Sequence, residues 1–280
     1  MVAMQTKGAF TASLTEHKRE ISAILDAFFA ARRRDLSEVN QLANEACDRL
    51  RQFVLAGKMI RGGLVTVGLS LCRDGPSSRE LHMAHQVGAA IELFQSGLLI
   101  HDDIMDRDLM RRGRATLFEQ YSRDARQGGV NDWRHLGEAL GTCVGDVAFF
   151  LGYELLGGLS PSPAALGRII ALFSRELAAV GIAQMQDVAW GADPSAQPGT
   201  DDILRLYRFK TGRYSFSLPL AAGAILAGAA DSSIEALEAL GECVGVIFQI
   251  RDDELGLWGD EKKTGKPVGS DIREGKKTLL

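Results

Sequence analysis

The sequence predicts an all-α protein folded as one large helical bundle. Apolar residues recur at intervals of three and four along almost the whole chain, which is the spacing of one face of an α-helix. Runs that alternate apolar and polar residues, as half-buried strands do, are absent. The chain has only 7 prolines, and no internal repeat or low-complexity linker divides it. We therefore expect residues 1–280 to form a single domain.

Breaks in the apolar spacing separate the predicted helices. Turn-forming residues interrupt the pattern at residues 74–76, 127–129, 159–161 and 191–199. The predicted helices cover residues 11–33, 36–56, 60–72, 78–106, 114–125, 133–157, 163–190, 201–211, 212–229 and 232–257. Several of them are long and apolar over much of their circumference, which is typical of central helices in a bundle. Apolar surface left over on such helices favours a homodimer.

Size, charge and cysteine content narrow the function classes. A chain of 280 residues that is 46% hydrophobic can bury a sizeable core. Its net charge of −4 gives no global attraction to nucleic acid or to an anionic membrane. The cysteines lie far apart with no C-x-x-C spacing, and we expect them to be buried thiols in a reducing cytoplasm: Cys47, Cys72, Cys143 and Cys243.

The sequence carries no predicted targeting or membrane segment. The N-terminus lacks the apolar region of a secretory signal. Residues 144–159 are interrupted by Asp146 and Glu154, and residues 218–230 are short, so we expect no transmembrane segment. The sequence stops at Leu280 with neither a polar tail nor a helix stop signal, and we expect a chain cut short at its C-terminus.

The densest chemistry lies at the end of the predicted helix 78–106. Asp102 and Asp106 share one helix face, and Asp103 lies about a quarter-turn away. Neighbouring carboxylates repel unless a cation lies between them, and Mg²⁺ prefers oxygen ligands and takes several from a substrate phosphate. Arg111 and Arg112 follow and could hold that phosphate. On charge alone, a solvated acidic helix end remains an equal alternative.

Three further groups of polar residues match this chemistry. Another long apolar helix ends in Gln249 and the acidic pair Asp252-Asp253. Two acidic helix ends that met across a bundle would bracket divalent ions and a polyanion. A basic group follows Gly57, with Lys58 and Arg61 on adjacent turns of one face. The last group, at a predicted helix junction, is Lys210-Thr211-Gly212.

Taken together, these stretches resemble the trans-isoprenyl diphosphate synthases, or polyprenyl synthetases, from Gly57 to Leu280. The segment Asp102-Asp103-x-x-Asp106 with Arg111-Arg112-Gly113 is similar to that family's first aspartate-rich motif, and Gln249-x-x-Asp252-Asp253 to its second. Further matches in the family's order are Gly57-Lys58-x-x-Arg61, Gly145-Asp146, Gln184-x-x-Asp187, Lys210-Thr211, Gly265-Lys266 through Asp271, and Gly275-Lys276. The resemblance implies a helical bundle of the isoprenoid synthase type with a central active-site cavity.

The resemblance also implies a reaction. Family members ionise an allylic diphosphate to a carbocation, which the double bond of isopentenyl diphosphate attacks. A proton is then lost, and the prenyl chain is five carbons longer. Opposite charges about 4 Å apart gain several kcal/mol at an effective dielectric near 20, so a Mg²⁺ clamp on the leaving diphosphate is the expected electrophilic catalyst.

Residue roles follow from the resemblance in the same way. Metal binding, to three Mg²⁺ ions, is implied for Asp102 and Asp106 with help from Asp103, for Asp252, and through water for Asp253 and Asp271. The allylic diphosphate would be held by Arg111, Lys210, Lys266 and Lys276. Isopentenyl diphosphate would be held without metal by Lys58, Arg61, Gln95 and Arg112. Dipoles near the developing cation would come from Thr211 and Gln249, and the released diphosphate would be the base.

Product length is predicted from the residues before the first motif. Family members that stop at C15 often carry an aromatic residue five positions upstream, where this chain has Gly97 followed by Leu98. Phe94 lies nearly one helical turn deeper. A turn rises about 5.4 Å, close to one extended isoprene unit, so we expect a C20 product, geranylgeranyl diphosphate.

Two departures from the family pattern and three alternatives remain at this point. Gly256 occupies the place of a third aspartate, and Phe118 that of a frequent histidine. Family members continue beyond Leu280 through helices that shield the carbocation from water, so we expect a fragment with reduced or no activity. The alternatives are a class I terpene cyclase, a non-catalytic regulatory subunit, and a helical metal phosphohydrolase using His82, His85 and His101-Asp102.

Overall fold

The computed structural model describes residues 2–259 and 275–280, with side chains from residue 12 onward. Helices account for nearly all of the regular structure, which confirms the all-α prediction. They are α1 Val2–Ser37, α2 Leu42–Leu55, α3 Ile60–Cys72, α4 Ser78–Met105, α5 Leu117–Gln127, α6 Trp133–Gly157, α7 Pro163–Ala192, α8 Thr200–Tyr207, α9 Leu218–Leu226 and α10 Asp231–Trp258.

Side-chain caps fix where two of the long helices begin. At the start of α4, Ser77 Oγ accepts the Glu80 N–H at 3.3 Å, and Glu80 Oε2 accepts the Ser77 N–H at 2.8 Å. This reciprocal pair satisfies two backbone donors that have no partner within the helix. At the start of α7, Ser162 caps the helix and Pro163 occupies its first position. These caps fix the residues at which α4 and α7 begin. The opposite ends of both helices carry residues of the site.

The core lies around α4, whose middle turns from Ala84 to Gly97 are buried almost throughout. Helices α1, α3, α6 and α9 pack around it. Contact between α3 and α9 is backbone to backbone, because a Cβ on Gly68 would lie 2.2 Å from the Leu220 carbonyl oxygen. Only glycine permits that approach. The sequence therefore places glycine where the central helices touch.

A short hairpin interrupts the helical pattern after α4, where the sequence predicted a helix from residue 114. Strand β1, Met110–Arg111, pairs antiparallel with β2, Arg114–Ala115. Arg112 and Gly113 between them have φ of 53° and 73°, the left-handed pair that a tight hairpin turn requires. Two-residue strands are too short to show alternation, which is why the prediction of no strand-like structure was wrong here.

The predicted junction between two helices at residues 211 and 212 does not exist. From Thr200 to Leu226 the chain is one continuous helix, in which Arg208–Ser217 is π-helical and joins α8 to α9. Gly212 does not end the helix. It instead admits α10, since a Cβ on the facing Gly245 would lie 2.2 Å from Gly212 Cα. The glycine marks a close contact between helices and not a terminus.

Helix α6 is the one helix in the described ranges that is by itself long and apolar enough to cross a membrane. Of its most apolar window, 44% is buried inside the protein, where it packs against α4 and α5. Helices α2 and α3 pass the same test only as a pair bent by 60°. Core helices of soluble proteins meet these criteria too, so length and composition are weak evidence for a span.

The cysteines differ from the prediction of four buried thiols. Cys47 is buried and Cys72 is half-buried. Cys143 and Cys243 are exposed, so the prediction was wrong for these two. They lie on the outer faces of α6 and α10, which the apolar spacing alone did not distinguish from the inner faces.

Candidate active site

A cavity of about 890 Å³ lies between the ends of α4, α7 and α10 and the π-helical segment Arg208–Ser217. Asp102 and Asp252 both line it, although they come from helices far apart in sequence. The predicted site residues that line the cavity are Arg61, Gln95, Leu98, Asp102, Arg111, Lys210, Thr211, Gln249, Asp252, Asp253 and Lys276. The structure therefore brings together most of the predicted residues that it describes.

Some predicted residues are not part of the cavity wall. These are Lys58, Phe94, Gly97, Asp103, Asp106 and Arg112. Lys266 and Asp271 lie outside the described residues. Helix α4 explains part of the difference, because its successive residues turn by about 100°, so that Phe94, Gly97 and Asp103 face away from the cavity that Leu98 and Asp102 line.

Asp102 and Asp106 form the acidic end of α4. Asp102 Oδ1 accepts from Gln184 Nε2 at 3.0 Å, and Asp106 Oδ2 is 2.9 Å from Lys276 Nζ. Burial, and after it the negative charge of Asp102, raises the pKa of Asp106. The two carboxylates therefore repel one another across the helix face. A cation bound between them would relieve this repulsion.

Asp103 departs from its predicted role as a metal ligand. It is 1% exposed, and its Oδ1 accepts from Arg111 Nε at 2.5 Å. Burial raises the pKa of Asp103 to about 7, against the opposing charge of Arg111. Because the side chain points inward from α4, Asp103 lies behind Arg111 and orients this guanidinium toward the cavity.

The two carboxylates of the second acidic pair differ in exposure. Asp252 is exposed, whereas Asp253 is 5% exposed and accepts from Gln249 Nε2 at 2.7 Å and from Tyr207 Oη. Thr211 Oγ1 in turn donates to Gln249 Oε1 at 2.7 Å. The chain of hydrogen bonds fixes which end of the Gln249 amide faces Thr211. Asp253 is therefore placed to orient Gln249, and Asp252 is the group open to the cavity.

Lys210 is held by Asp187, with which it forms a short ion pair in the cavity wall. Asp187 is 8% exposed and lies on α7 three residues after Gln184, so both face the same cavity. The motif Gln184-x-x-Asp187 was noted in the sequence without a role. The structure supplies one, since Gln184 contacts Asp102 and Asp187 contacts Lys210.

Arg61 is the member of the basic group that lines the cavity. Arg61 Nη2 donates to Ser215 Oγ at 2.7 Å, and its guanidinium lies 5.5 Å from the centre of the Tyr214 ring. Lys58 and Arg112 are exposed beside it. Left-handed backbone lies at or beside both residues. Met59, which follows Lys58, has φ of 55°, and Arg112 itself has φ of 53°. Left-handed conformations at non-glycine residues concentrate at functional sites.

Glu92 is a site residue that the sequence reasoning missed. It is 6% exposed, accepts the Gly62 N–H at 2.9 Å, and has its pKa raised by burial. The positive charges of Arg61 and Arg112 act on it in the opposite direction. Its position three residues before Gln95 on α4, among apolar neighbours, is the only signal that could have found it.

The apolar end of the cavity is formed by Leu98, Phe149 and Tyr153. Phe94 is fully buried behind them, with its ring centre 4.9 Å from that of Tyr153 and 5.4 Å from that of Phe173. Gly97 faces α6, since a Cβ there would lie 3.0 Å from the Phe149 ring. The aromatic wall at this level therefore comes from α6, and Gly97 makes room for it.

The histidines do not assemble the phosphohydrolase alternative. His85 Nε2 is 3.1 Å from His17 Nδ1 in the contact between α1 and α4, where it is buried. Sixteen residues of helix, about 24 Å, separate His85 from His101. His101 instead approaches the Thr142 carbonyl oxygen at 3.1 Å. We therefore set this alternative aside.

The carboxylates fit Mg²⁺ as a partner of a bound diphosphate and not as a closed protein site. Across the side chains of residues 12–259 and 275–280, no three His, Cys, Asp or Glu groups converge on one point. Mg²⁺ needs only one or two carboxylates when waters and substrate phosphates complete its shell. Asp102 and Asp252 line the cavity beside Lys210 and Arg111, and Asp106 follows Asp102 by four residues, which suits a metal–diphosphate.

Asp102 of α4 and Asp252 of α10 thus share one cavity with the cationic side chains of Arg61, Arg111 and Lys210 in an all-α bundle. A family model for polyprenyl synthetase matches residues 42–280. The chain belongs to the polyprenyl synthetase family.

Individual relatives carry more specific names. A geranylgeranyl diphosphate synthase of Sulfolobus acidocaldarius is 36% identical over 234 residues, which cover 81% of this chain and 63% of that protein. A (2E,6E)-farnesyl diphosphate synthase of Mycobacterium tuberculosis is 36% identical over 224 residues, 80% of this chain and 55% of that protein. The chain thus spans about three fifths of the length of the curated relatives it matches.

Solved structures give the same family. A geranylgeranyl pyrophosphate synthase from Corynebacterium glutamicum, complexed with isoprenyl diphosphate and magnesium, has a TM-score of 0.89 and 32% identity. The match covers 95% of this chain and 74% of that one. A geranylgeranyl pyrophosphate synthetase from Pyrococcus horikoshii has a TM-score of 0.78 and 28% identity over 98% and 74% of the two chains.

Proposed function

We propose that this protein is a prenyltransferase that condenses isopentenyl diphosphate with an allylic diphosphate to give a prenyl diphosphate longer by five carbons. The observation that carries the proposal is the shared cavity, in which Asp102 and Asp252 face a common space with Lys210 and Arg61 on its walls. Membership of the polyprenyl synthetase family supports it.

Arg111, Lys210 and Lys276 bind the allylic diphosphate in this proposal. Each of these cations contacts a carboxylate in the substrate-free structure, namely Asp103, Asp187 and Asp106. The carboxylates keep the cations oriented before the substrate arrives, which reduces the reorganisation required on binding. Lys266, which lies beyond the described residues, is proposed as a further phosphate ligand.

Asp102 and Asp106 at one helix end and Asp252 at the other would hold Mg²⁺, with three ions as the proposed number. When bound, the metal neutralises the leaving diphosphate and so assists cleavage of its carbon–oxygen bond. Asp253 orients Gln249 and is not proposed as a direct ligand, because its two oxygens already accept from Gln249 and Tyr207. Asp271 stays a proposed water-mediated ligand outside the described residues.

Isopentenyl diphosphate binds to Arg61 and Gln95 in the cavity wall and to Lys58 and Arg112 beside it. The Arg61 guanidinium contacts Ser215 and Tyr214. In this proposal the diphosphate held there takes no metal and is not activated to leave. Buried Glu92 balances part of the positive charge behind the wall.

The developing carbocation lies beside Thr211 and Gln249 in this mechanism. Thr211 donates its proton to Gln249, so its oxygen lone pairs are left to face the positive charge in the cavity. Apolar side chains of Leu98, Phe149 and Leu177 line the rest of the space and exclude water from the cation. The released diphosphate accepts the proton that is lost from the isopentenyl carbon next to the new cationic centre, and the electron pair of that C–H bond forms the new double bond.

We propose geranylgeranyl diphosphate, C20, as the main product. The α4 side chain on the cavity wall at this level is Leu98 and not an aromatic residue, which supports a product longer than C15. Curated relatives include both geranylgeranyl and farnesyl diphosphate synthases, so the family leaves both lengths open.

We also propose a cytoplasmic homodimer formed through α6. The outer face of this helix carries apolar residues at three- and four-residue spacing: Leu136, Leu140, Cys143, Val147 and Phe150. Phe150 is 73% exposed, which is unfavourable for an aromatic side chain without a partner. Sedimentation of Phe150→Arg beside the wild-type chain tests this contact, because the charged residue would give a monomer if the stripe is the interface.

The function is tested by incubating the protein with Mg²⁺, labelled isopentenyl diphosphate and a C5, C10 or C15 allylic diphosphate in turn. The chain as written and a version extended by a family-like C-terminus are assayed in parallel. We expect linear prenyl diphosphates ending at C20. Cyclic hydrocarbons formed without isopentenyl diphosphate would indicate a terpene cyclase, and no product from either form would indicate a regulatory subunit. Either result would contradict the proposal.

A further inference from the structure

The segment that presents Lys210 and Thr211 has an unusual backbone. Arg208–Ser217 is π-helical over ten residues, whereas π-helices are normally single turns inside α-helices. Such geometry is less stable than an α-helix and persists only where the surroundings impose it. Its front face lines the cavity through Lys210, Thr211 and Tyr214. Whatever holds the back face therefore also sets the positions of these three side chains.

Glu242 of α10 contacts the first residue of this segment and a residue in its middle. Its Oε2 is 2.7 Å from Arg208 Nε, and its Oε1 accepts from Arg213 Nη1 at 3.2 Å. Arg208 and Arg213 are five residues apart. In an α-helix, residues five apart point about 140° away from each other and cannot both reach one carboxylate. In a π-helix the hydrogen bonds join residues five apart, so the two arginines lie on one face.

Two further contacts keep this back face in place. Arg213 binds Glu176 of α7 through two parallel hydrogen bonds, Nε to Oε2 at 2.8 Å and Nη2 to Oε1 at 2.7 Å. Glu176 is 2% exposed, so this paired contact is shielded from solvent. The Phe209 ring lies between the two arginines, with each guanidinium carbon 5.5 Å from the ring centre.

We propose that Glu242 is a positioning residue that holds Arg208–Ser217 in the π-helical register and thereby places Lys210 and Thr211 in the cavity. Its carboxylate contacts neither substrate nor metal ligand. It acts by joining Arg208 to Arg213, a connection that exists only in this register. Without it, the segment tightens toward an α-helix, and the residues after the change rotate relative to those before it. The kinetic consequences of this proposal rest on the function proposed above.

The experiment compares Glu242→Gln with Glu238→Gln. Glu238 lies one turn earlier on α10 and binds Arg175 at 2.7 Å, a contact outside the π-helical segment. The control removes the same charge from the same helix, beside the Arg175–Glu176 ion pair, and leaves the hydrogen bonds of Glu242 to Arg208 and Arg213 in place. Amide hydrogen exchange of residues 208–217 is measured in the full chain. We expect exchange at least tenfold faster in Glu242→Gln and within twofold of wild type in Glu238→Gln.

Steady-state kinetics provide the second readout, in the form of the protein that makes product. We expect Glu242→Gln to lower kcat at least tenfold and to raise the allylic KM. The KM for isopentenyl diphosphate should rise as well, because Ser215 of the same segment binds Arg61. Wild-type kinetics in Glu238→Gln would separate this effect from a general loss of charge on α10. Arg208→Gln removes the other partner of the Arg208–Glu242 ion pair. Because the Arg208 side chain is 49% exposed, this variant should fold even if Glu242→Gln does not. We expect it to show the same changes in kcat and KM.

Unchanged exchange in residues 208–217 of both Glu242→Gln and Arg208→Gln would overturn the proposal. Equal acceleration in the Glu238→Gln control would overturn it as well. If the wild-type protein makes no prenyl product, the proposed function fails, and the exchange measurement alone decides the role of Glu242.

Discussion

Asp103 Oδ1 accepts a hydrogen bond from Arg111 Nε at 2.5 Å, and the carboxyl is 1% exposed. Its other oxygen, Oδ2, has no hydrogen-bond partner among the described residues. A buried carboxylate of this kind is expensive unless its partner keeps its charge. The acidic motif at the end of α4 thus contains two kinds of carboxylate, Asp102, which lines the cavity, and Asp103, which supports an arginine.

Asp103→Asn should therefore weaken diphosphate binding without changing the metal requirement. The amide keeps the shape of the side chain but loses the charge that orients Arg111. We expect the KM for the allylic diphosphate to rise about tenfold, roughly the 1.4 kcal/mol of one charge-assisted hydrogen bond. The Mg²⁺ concentration for half-maximal rate should stay within about twofold of wild type. Asp102→Asn is the matched variant and should shift that Mg²⁺ concentration. An equal shift in both would show that Asp103 binds metal.

Gly97→Ala should destabilise the protein. The new Cβ would lie 2.9 Å from the Gly145 carbonyl oxygen, so α4 and α6 would have to separate. We expect the free energy of unfolding to fall by about 1–3 kcal/mol in urea denaturation. Gly167→Ala on α7 is the control, because nothing lies within 4 Å of its Cβ position, and it should gain about 0.5–1 kcal/mol. Equal effects at the two positions would contradict the close contact.

Acid should weaken the contact between α1 and α4. Burial, and after it the charge of His17, lowers the pKa of His85 to about 4, whereas the unfolded value is near 6.5. Between these values the unfolded chain binds more protons than the folded one, so the free energy of unfolding falls as pH falls. Glu20 and Glu16 on α1 oppose this shift, and His82 adds to it.

The measurement is urea denaturation at pH 7 and at pH 4.5 for the wild-type chain and His85→Gln. The wild-type chain should lose about 1–3 kcal/mol more than the variant over this range, because only it carries the buried imidazole. Carboxylates elsewhere titrate in both proteins and cancel in the comparison. Parallel losses would show that His85 does not contribute.

Phe149→Ala should lengthen the products. The Phe149 ring lines the cavity, and its removal opens space beside Leu98 for about one more isoprene unit. Phe94→Ala should lengthen them too, because Phe94 supports Tyr153 from behind. Leu71→Ala is the control, since that side chain is 61% exposed on α3 and is not part of the cavity wall. Chromatography of the products gives the distribution, and farnesyl diphosphate as the sole product of the wild-type chain would contradict the predicted C20 length.

Much of the fold could be predicted because the apolar residues of long helices recur at intervals of three and four. The bounds of α3 and α6 match the prediction to the residue, since apolar periodicity and turn residues coincide there. The hairpin at 110–115 could not be found, because two-residue strands carry no periodicity. The π-helical segment could not be found either. It depends on Glu176 and Glu242 from other helices, and Gly212 looks like a stop signal when only the local sequence is read.

The site residues, like the fold, include some that the local sequence predicts and some that depend on other helices. Residues that repeat a spaced motif, such as Asp102 and Asp252, were predicted in one cavity and lie there. Which neighbour of each acidic pair faces inward was not predicted, because helix rotation relative to other helices is a tertiary property. Asp103 and Asp253 are therefore buried where the sequence suggested metal ligands.

Binding of inorganic pyrophosphate, measured by calorimetry with and without Mg²⁺, tests the central claim most directly. The two acidic helix ends are proposed to hold one metal–diphosphate between them. We therefore expect Mg²⁺ to tighten pyrophosphate binding at least tenfold, about 1.4 kcal/mol, and expect Asp102→Asn and Asp252→Asn each to abolish that gain. Mg²⁺-independent binding, or a gain that survives in either variant, would show that the two helix ends do not share a diphosphate.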